Sequence, residues 1–203
     1  MMFRIISVLA LVISIVWIIK VLKQLDLSIS EALKIYFDEL KTTPDLFKKN
    51  DLRANGSTKR VFTVITLLLF DLLFLTGFFP VIFFGIHLSG ILLLLHVAVA
   101  PLFAVSLMIL LVISAESNKF NESEIQFEKG LEVSKSGISK ILFWLLAIVS
   151  LPLMLSIVLG MYPIFGTEGQ ANLLELHRYS VLLFSILVFL QIGFILRIQK
   201  ENK

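Results

Sequence analysis

The chain has no cysteine among its 203 residues. That absence removes disulfides, thiolate metal sites, iron–sulfur ligation and covalent c-type haem attachment from what the polypeptide can do by itself. Charge is scarce as well. Asp, Glu, Lys and Arg make up 16% of the residues, against 58% hydrophobic. With a mean hydropathy of +0.95, this is more apolar surface than a water-soluble domain of that length can bury, and the class that fits is an integral membrane protein. Histidine is limited to three copies, so any metal has few nitrogen ligands to draw on. Internal repeats, low-complexity tracts, phosphate-binding loops, activated nucleophiles and nucleic-acid motifs are all lacking.

What is present is a series of five apolar runs, each close to the roughly 20 residues that cross a bilayer. The first, Phe3 to Ile19, has only Arg4 at its start, with Lys20 and Lys23 after it and no small-x-small cleavage site. It reads as an uncleaved anchor with its N-terminus outside rather than as a signal peptide. The second runs from Val61 to Phe84. It holds Asp71 near its middle and Thr76-Gly77 and Pro80 toward its far end, where the regular helix is expected to finish. The third, LSGILLLLHVAVAPLFAVSLMILLVI from Leu88 to Ile113, contains His96. The fourth spans Ile141 to about Met161, with Trp144 and Pro152. The fifth begins in the polar turn TEGQANLLELHR, carries His177 at its opening and ends at Arg197. The expected fold is all-α, with five transmembrane helices. Residues 1–23 form an anchor, 24–60 a cytoplasmic amphipathic segment, and 61–203 a four-helix membrane domain built around a cofactor.

The connections set the topology. Ser28-Ile29-Ser30-Glu31 fits a capping box. After it Ile29, Leu33, Tyr36, Phe37 and Leu40 follow helical spacing as far as Thr42-Thr43-Pro44. This helix either lies on the membrane surface or docks a cytoplasmic partner subunit. Lysines and arginines crowd the connection before Val61 and recur in Ser114 to Lys140 and in the C-terminal tail, while the connection before Leu88 has none. The positive-inside rule then places the first and third connections and the C-terminus in the cytoplasm, in a multi-pass protein of the inner (cytoplasmic) membrane.

An ionisable residue inside a span is a functional-site candidate. The third and fifth spans run in the same direction. His96 lies about eight residues, roughly 12 Å, into its span, and His177 lies about nine residues beyond Glu168, at a similar depth. Two imidazoles on neighbouring helices are what bis-histidine ligation of one haem b requires, and helix bundles build cofactor sites in this way. In this reading His96 and His177 are the axial ligands of the iron. Arg178 can pair with a propionate, and Gly90, Ala98, Ala100 and Ser180 leave room for a flat macrocycle. The plainer alternative gives each histidine only a polar contact, His96 with Asp71. His87 precedes the apolar run and falls on the helix face opposite His96; it reads as an interfacial or quinone-site residue. Asp71 is either a proton relay or quinone partner, or a neutral acid bonded to a neighbouring helix through Thr66, Ser106 or Gln191.

The segments LTGFFP, HLSGILLLLHVAVAPLFAV and LLELHRYSVLLFSILVFLQ give the chain from Val61 onward a resemblance to known proteins. It resembles the cytochrome b membrane subunits of formate dehydrogenase, hydrogenase and nitrate reductase type complexes. The resemblance implies an electron-transfer subunit rather than an enzyme by itself. Such a subunit exchanges electrons between the quinone/quinol pool and a partner redox protein, with a cytochrome c or an iron–sulfur protein as the simplest partner. Those families usually hold two haems, with paired histidines about four turns apart on a helix. At that spacing Gln191 follows His177 and Leu110 follows His96, so the resemblance implies a single haem near the outer face. Two rivals are a haem-free membrane anchor or assembly subunit, and a small proton-coupled transporter using Asp71 and His96. Against the transporter stands the lack of paired charges and of a repeat.

Overall fold

The computed structural model describes residues 2–32, 56–85, 88–120, 125–126 and 132–201. The polypeptide is all-α, with five helices long and apolar enough to cross a membrane. These are α1 (Met2–Gln24), α2 (Gly56–Leu73), α3 (Gly90–Ala115), α4 (Lys135–Gly160) and α5 (Gly166–Glu201). Such runs become helices because hydrocarbon offers no partner to a backbone amide, so each segment must bond within itself even where β-branched residues are frequent. Less than half of each span is buried, and the outward surface of the spans is apolar. Between α3 and α4 lie a 3₁₀ turn, Glu116–Asn118, and a short antiparallel ribbon pairing Ile125 with Val133 and Gln126 with Glu132. The mixed charge of that connection gave no hint of the ribbon.

The chain divides into two compact units, residues 1–8 with 27–117 and residues 9–26 with 118–203. In the first unit α2 packs along α3. Thr66 on α2 donates to Ser106 on α3 (3.2 Å), and the Phe70 ring meets Phe103 with centroids 6.2 Å apart. Ser28 opens a helical turn as its sequence requires: Glu31 N–H donates to Ser28 Oγ (3.2 Å), and Ser28 N–H to Glu31 Oε2 (2.8 Å). The rest of the expected amphipathic helix, with Leu33, Tyr36, Phe37 and Leu40, lies outside the described residues, as does His87.

The second span leaves the regular α-helix after Leu73, close to Thr76-Gly77 as expected. It continues through two widened π-helical segments, Phe74–Phe78 and Pro80–Phe84, and stops at Gly85. Inside hydrocarbon a broken helix exposes backbone groups, so a signal that ends a helix in water widens one here. Gly85 has a φ of +67°, and a Cβ there would meet Arg4 Nη1 at 2.6 Å. Arg4 donates to the terminal carbonyls of Ile82 (3.0 Å) and Phe83 (3.4 Å), which have no partner further along the helix.

In the second unit α4 packs along α5, and Leu142, Val149 and Leu153 of the one and Leu182, Phe184 and Leu187 of the other are buried. Ser134 caps α4 by accepting from Gly137 N–H (3.0 Å). Arg197 lies 5.6 Å from the ring centroids of both Trp17 and Phe194 and donates to Gln24 Oε1 (2.9 Å). Trp17 sits directly on Gly193, where a Cβ would collide with its ring.

Candidate functional site

His96 projects from α3 toward the widened part of the second span. Thr76 Oγ1 lies 2.7 Å from the Leu72 carbonyl of its own helix and 3.3 Å from His96 Nδ1. A hydroxyl has one proton. Given to Leu72, it leaves the threonine oxygen as an acceptor facing Nδ1, and the ring also hydrogen-bonds the Leu73 carbonyl. The ring also rests against Gly77. A Cβ at that position would overlap His96 Cε1 and come within 2.6 Å of Nδ1. Glycine is therefore required here by close approach of a side chain, with no left-handed backbone involved.

His177, in the other unit, has a parallel setting. Ser156 Oγ on α4 lies 2.8 Å from the Leu153 carbonyl and 3.4 Å from His177 Nδ1 on α5. With its proton on the Leu153 carbonyl, the serine oxygen is likewise an acceptor facing His177 Nδ1. An imidazole whose Nδ1–H is held by an oxygen while Nε2 carries the lone pair is in the tautomer that coordinates metal.

The helix starts differ from those read in the sequence. α3 begins at Gly90 and α5 at Gly166, which puts His96 about 9 Å and His177 about 16 Å from the start of its own helix at 1.5 Å per residue. The small residues expected to make room also change. Gly90 opens α3, with nothing within 4 Å of a Cβ placed on it, and Ala98 is exposed. Ser180 is buried. The residue that makes space beside His96 is Gly77, on the preceding span, which sequence reasoning had taken only as a helix terminator. Ser156 had been passed over, because a lone serine in an apolar run carries no sequence signal.

Arg178 is half-buried and forms an ion pair with Glu175 one turn earlier (2.8 Å). Asp71 meets none of the partners expected for it. Thr66 gives its proton to Ser106, Ser106 to the Phe103 carbonyl (3.0 Å), and Gln191 donates to Ser139 (3.1 Å). His96 instead meets Thr76 and the Leu73 carbonyl. Asp71 is exposed, equidistant in sequence from the two ends of its span, Thr58 and Phe84. An acidic side chain there costs about 2.5–3.5 kcal/mol on insertion scales when nothing offsets it. Among the described residues, no group of three or more His, Asp or Glu side chains is arranged to hold a metal ion.

The chain matches no family model, no curated protein and no solved structure with which it was compared.

Proposed function

We propose that the chain is a b-type cytochrome subunit of a membrane redox complex, holding one haem b with the imidazoles of His96 and His177 as its axial ligands. The observation that supports this reading most is the shared setting of the two rings. Each histidine has Nδ1 against a hydroxyl that is itself tied to a main-chain carbonyl, an arrangement that favours Nδ1–H and so Nε2 as the donor atom for iron. The donor set fits the group: two neutral imidazoles, no thiolates, and apolar surroundings. When bound, the haem supplies reversible one-electron transfer at low reorganisation cost. The chain's own residues orient the rings through Thr76 and Ser156, leave space beside one ring at Gly77, and exclude water by their apolar flanks. The electrons pass between quinol or quinone and a partner redox protein, an extracytoplasmic cytochrome or iron–sulfur protein. In this reading the protein sits in the cytoplasmic membrane with its N-terminus outside and its C-terminus inside, a placement that its lysine and arginine bias supports.

The test is a reduced-minus-oxidised visible spectrum of the purified chain with haem counted per polypeptide. The expected result is one low-spin haem b, lost in His96→Ala and in His177→Ala and kept in Arg178→Ala. Two haems per chain would transfer a ligand role to His87 or to a partner chain. No haem in material purified with its complex intact would overturn the reading in favour of a haem-free anchor.

A further inference from the structure

Asp71 has a surface around it. On the same outward side of α2 and its continuation lie Ile65, Leu68, Leu72, Leu75 and Phe79, all exposed. They alternate by three and four residues, the spacing of a seam that packs against another helix. The opposite side of the helix is already engaged with α3 through Thr66 and Phe70. Lipid tails are a sufficient environment for the five apolar residues but not for the carboxyl at the edge of their seam. No hydrogen bond or ion pair reaches Asp71 among the described residues, and polar groups at mid-bilayer are satisfied by neighbouring helices.

We propose that this face docks a transmembrane helix of another polypeptide, one that brings a lysine or arginine to mid-bilayer against Asp71. Charge complementarity selects the occupant, and a second copy of this chain does not provide it. The basic residues of its spans stand near span ends apart from Arg178, which is paired with Glu175. The inference concerns assembly and is independent of whether the chain holds haem.

The experiment measures energy transfer in lipid vesicles between the dye-labelled full chain and synthetic Leu/Ala helices of about 20 residues. One helix carries a single central lysine and its control carries leucine. The lysine helix is expected to bind about tenfold more tightly than the control. Asp71→Leu should abolish that preference, and Asp71→Asn should weaken it. Asp71 makes no bond to the described residues, so both variants are expected to keep the helical circular dichroism of the parent, and the near-isosteric Asp71→Asn carries the test should the leucine variant fail to fold. Equal binding of the two peptides by the parent chain, or a lysine preference that survives in Asp71→Leu, overturns the proposal. So does Asp71-dependent energy transfer between two copies of the chain, which would make the occupant a second copy.

Discussion

In the α2–α3 hairpin the histidine stands on the second helix and its Nδ1 meets a threonine hydroxyl on the first. In the α4–α5 hairpin His177 stands on the second helix and meets a serine hydroxyl on the first. Each hairpin carries a second polar cross-link farther from its turn, Thr66 to Ser106 in one and Gln191 to Ser139 in the other. The polar plan is therefore the same, although the sequence shows no repeat between the halves. The packing is different. His96 approaches a π-helical segment so closely that only glycine fits beneath it, whereas Ser156 sits on a regular α-helix four residues after Pro152. In the second unit the crowded glycines are Gly169, against Phe165, and Gly193, which lies under Trp17. One hairpin has used its close approach to seat an imidazole, the other to seat an aromatic anchor beside Arg197.

The largest effect expected from this difference comes from Gly77→Ala compared with Gly193→Ala. Both insert a methyl group into occupied space, and overpacking of that kind costs about 1–3 kcal/mol. Thermal unfolding in detergent should show both variants destabilised to a similar degree. Gly77→Ala should in addition displace the His96 ring and lose most of the haem signal. Gly193→Ala should keep the signal and disturb only the fluorescence of Trp17. If both variants keep the haem, close packing at Gly77 does not position His96 for ligation.

A smaller effect is expected from the hydroxyls. Thr76→Val and Ser156→Ala each remove the acceptor for an Nδ1–H while leaving the ring in place, at a cost of about 1 kcal/mol. Loss of that acceptor makes the imidazole a weaker donor to ferric iron, so the midpoint potential should rise, by roughly 40 mV for an effect of that size. Nitrogen NMR of labelled histidine gives a readout that does not depend on haem. The parent should show Nδ1–H tautomers at both positions, and each variant should alter one of them alone. Equal mixtures of tautomers in the parent would remove the basis for the shared plan.

The five spans were legible because a bilayer makes hydrophobicity and backbone satisfaction the same requirement, and a run such as Gly90–Ala115 can meet it in one way only. Their ends were less legible. α4 starts at Lys135 and α5 continues to Glu201, because a helix does not stop where the hydrocarbon does and polar flanks extend it into the interface. Thr76-Gly77 correctly marks where the regular α-helix ends, but the signal does not show that the span continues in widened π-helical form. The expectation that Asp71 would bond the residues around Ser106 failed on rotation. At about 100° per residue Asp71 lies roughly 140° around the helix from Thr66, so once Thr66 faces α3 its carboxyl cannot. Spacing alone gives that angle, but which side faces the neighbour is fixed by tertiary packing. His177 was found by residue type, whereas Ser156, which orients it, becomes visible only when the two helices are placed side by side.

The smallest effect expected concerns the outer cross-links, where the two hairpins are predicted to behave alike. Hydrogen bonds between membrane helices contribute about 0.6 kcal/mol on average in double-mutant cycles, because the alternatives to the native partner are also within reach. Thr66→Val with Ser106→Ala in one hairpin, and Gln191→Leu with Ser139→Ala in the other, should each show a coupling near that value when unfolding is followed in detergent. Gln191 adds an asymmetry. Its Oε1 is buried without a partner among the described residues, so Gln191→Leu removes an unsatisfied acceptor together with the bond and should cost less than Thr66→Val. A coupling several times larger in the α4–α5 hairpin would mean that Gln191 holds its hairpin together in a way that Thr66 does not, and the parallel between the two halves would then be confined to their histidines.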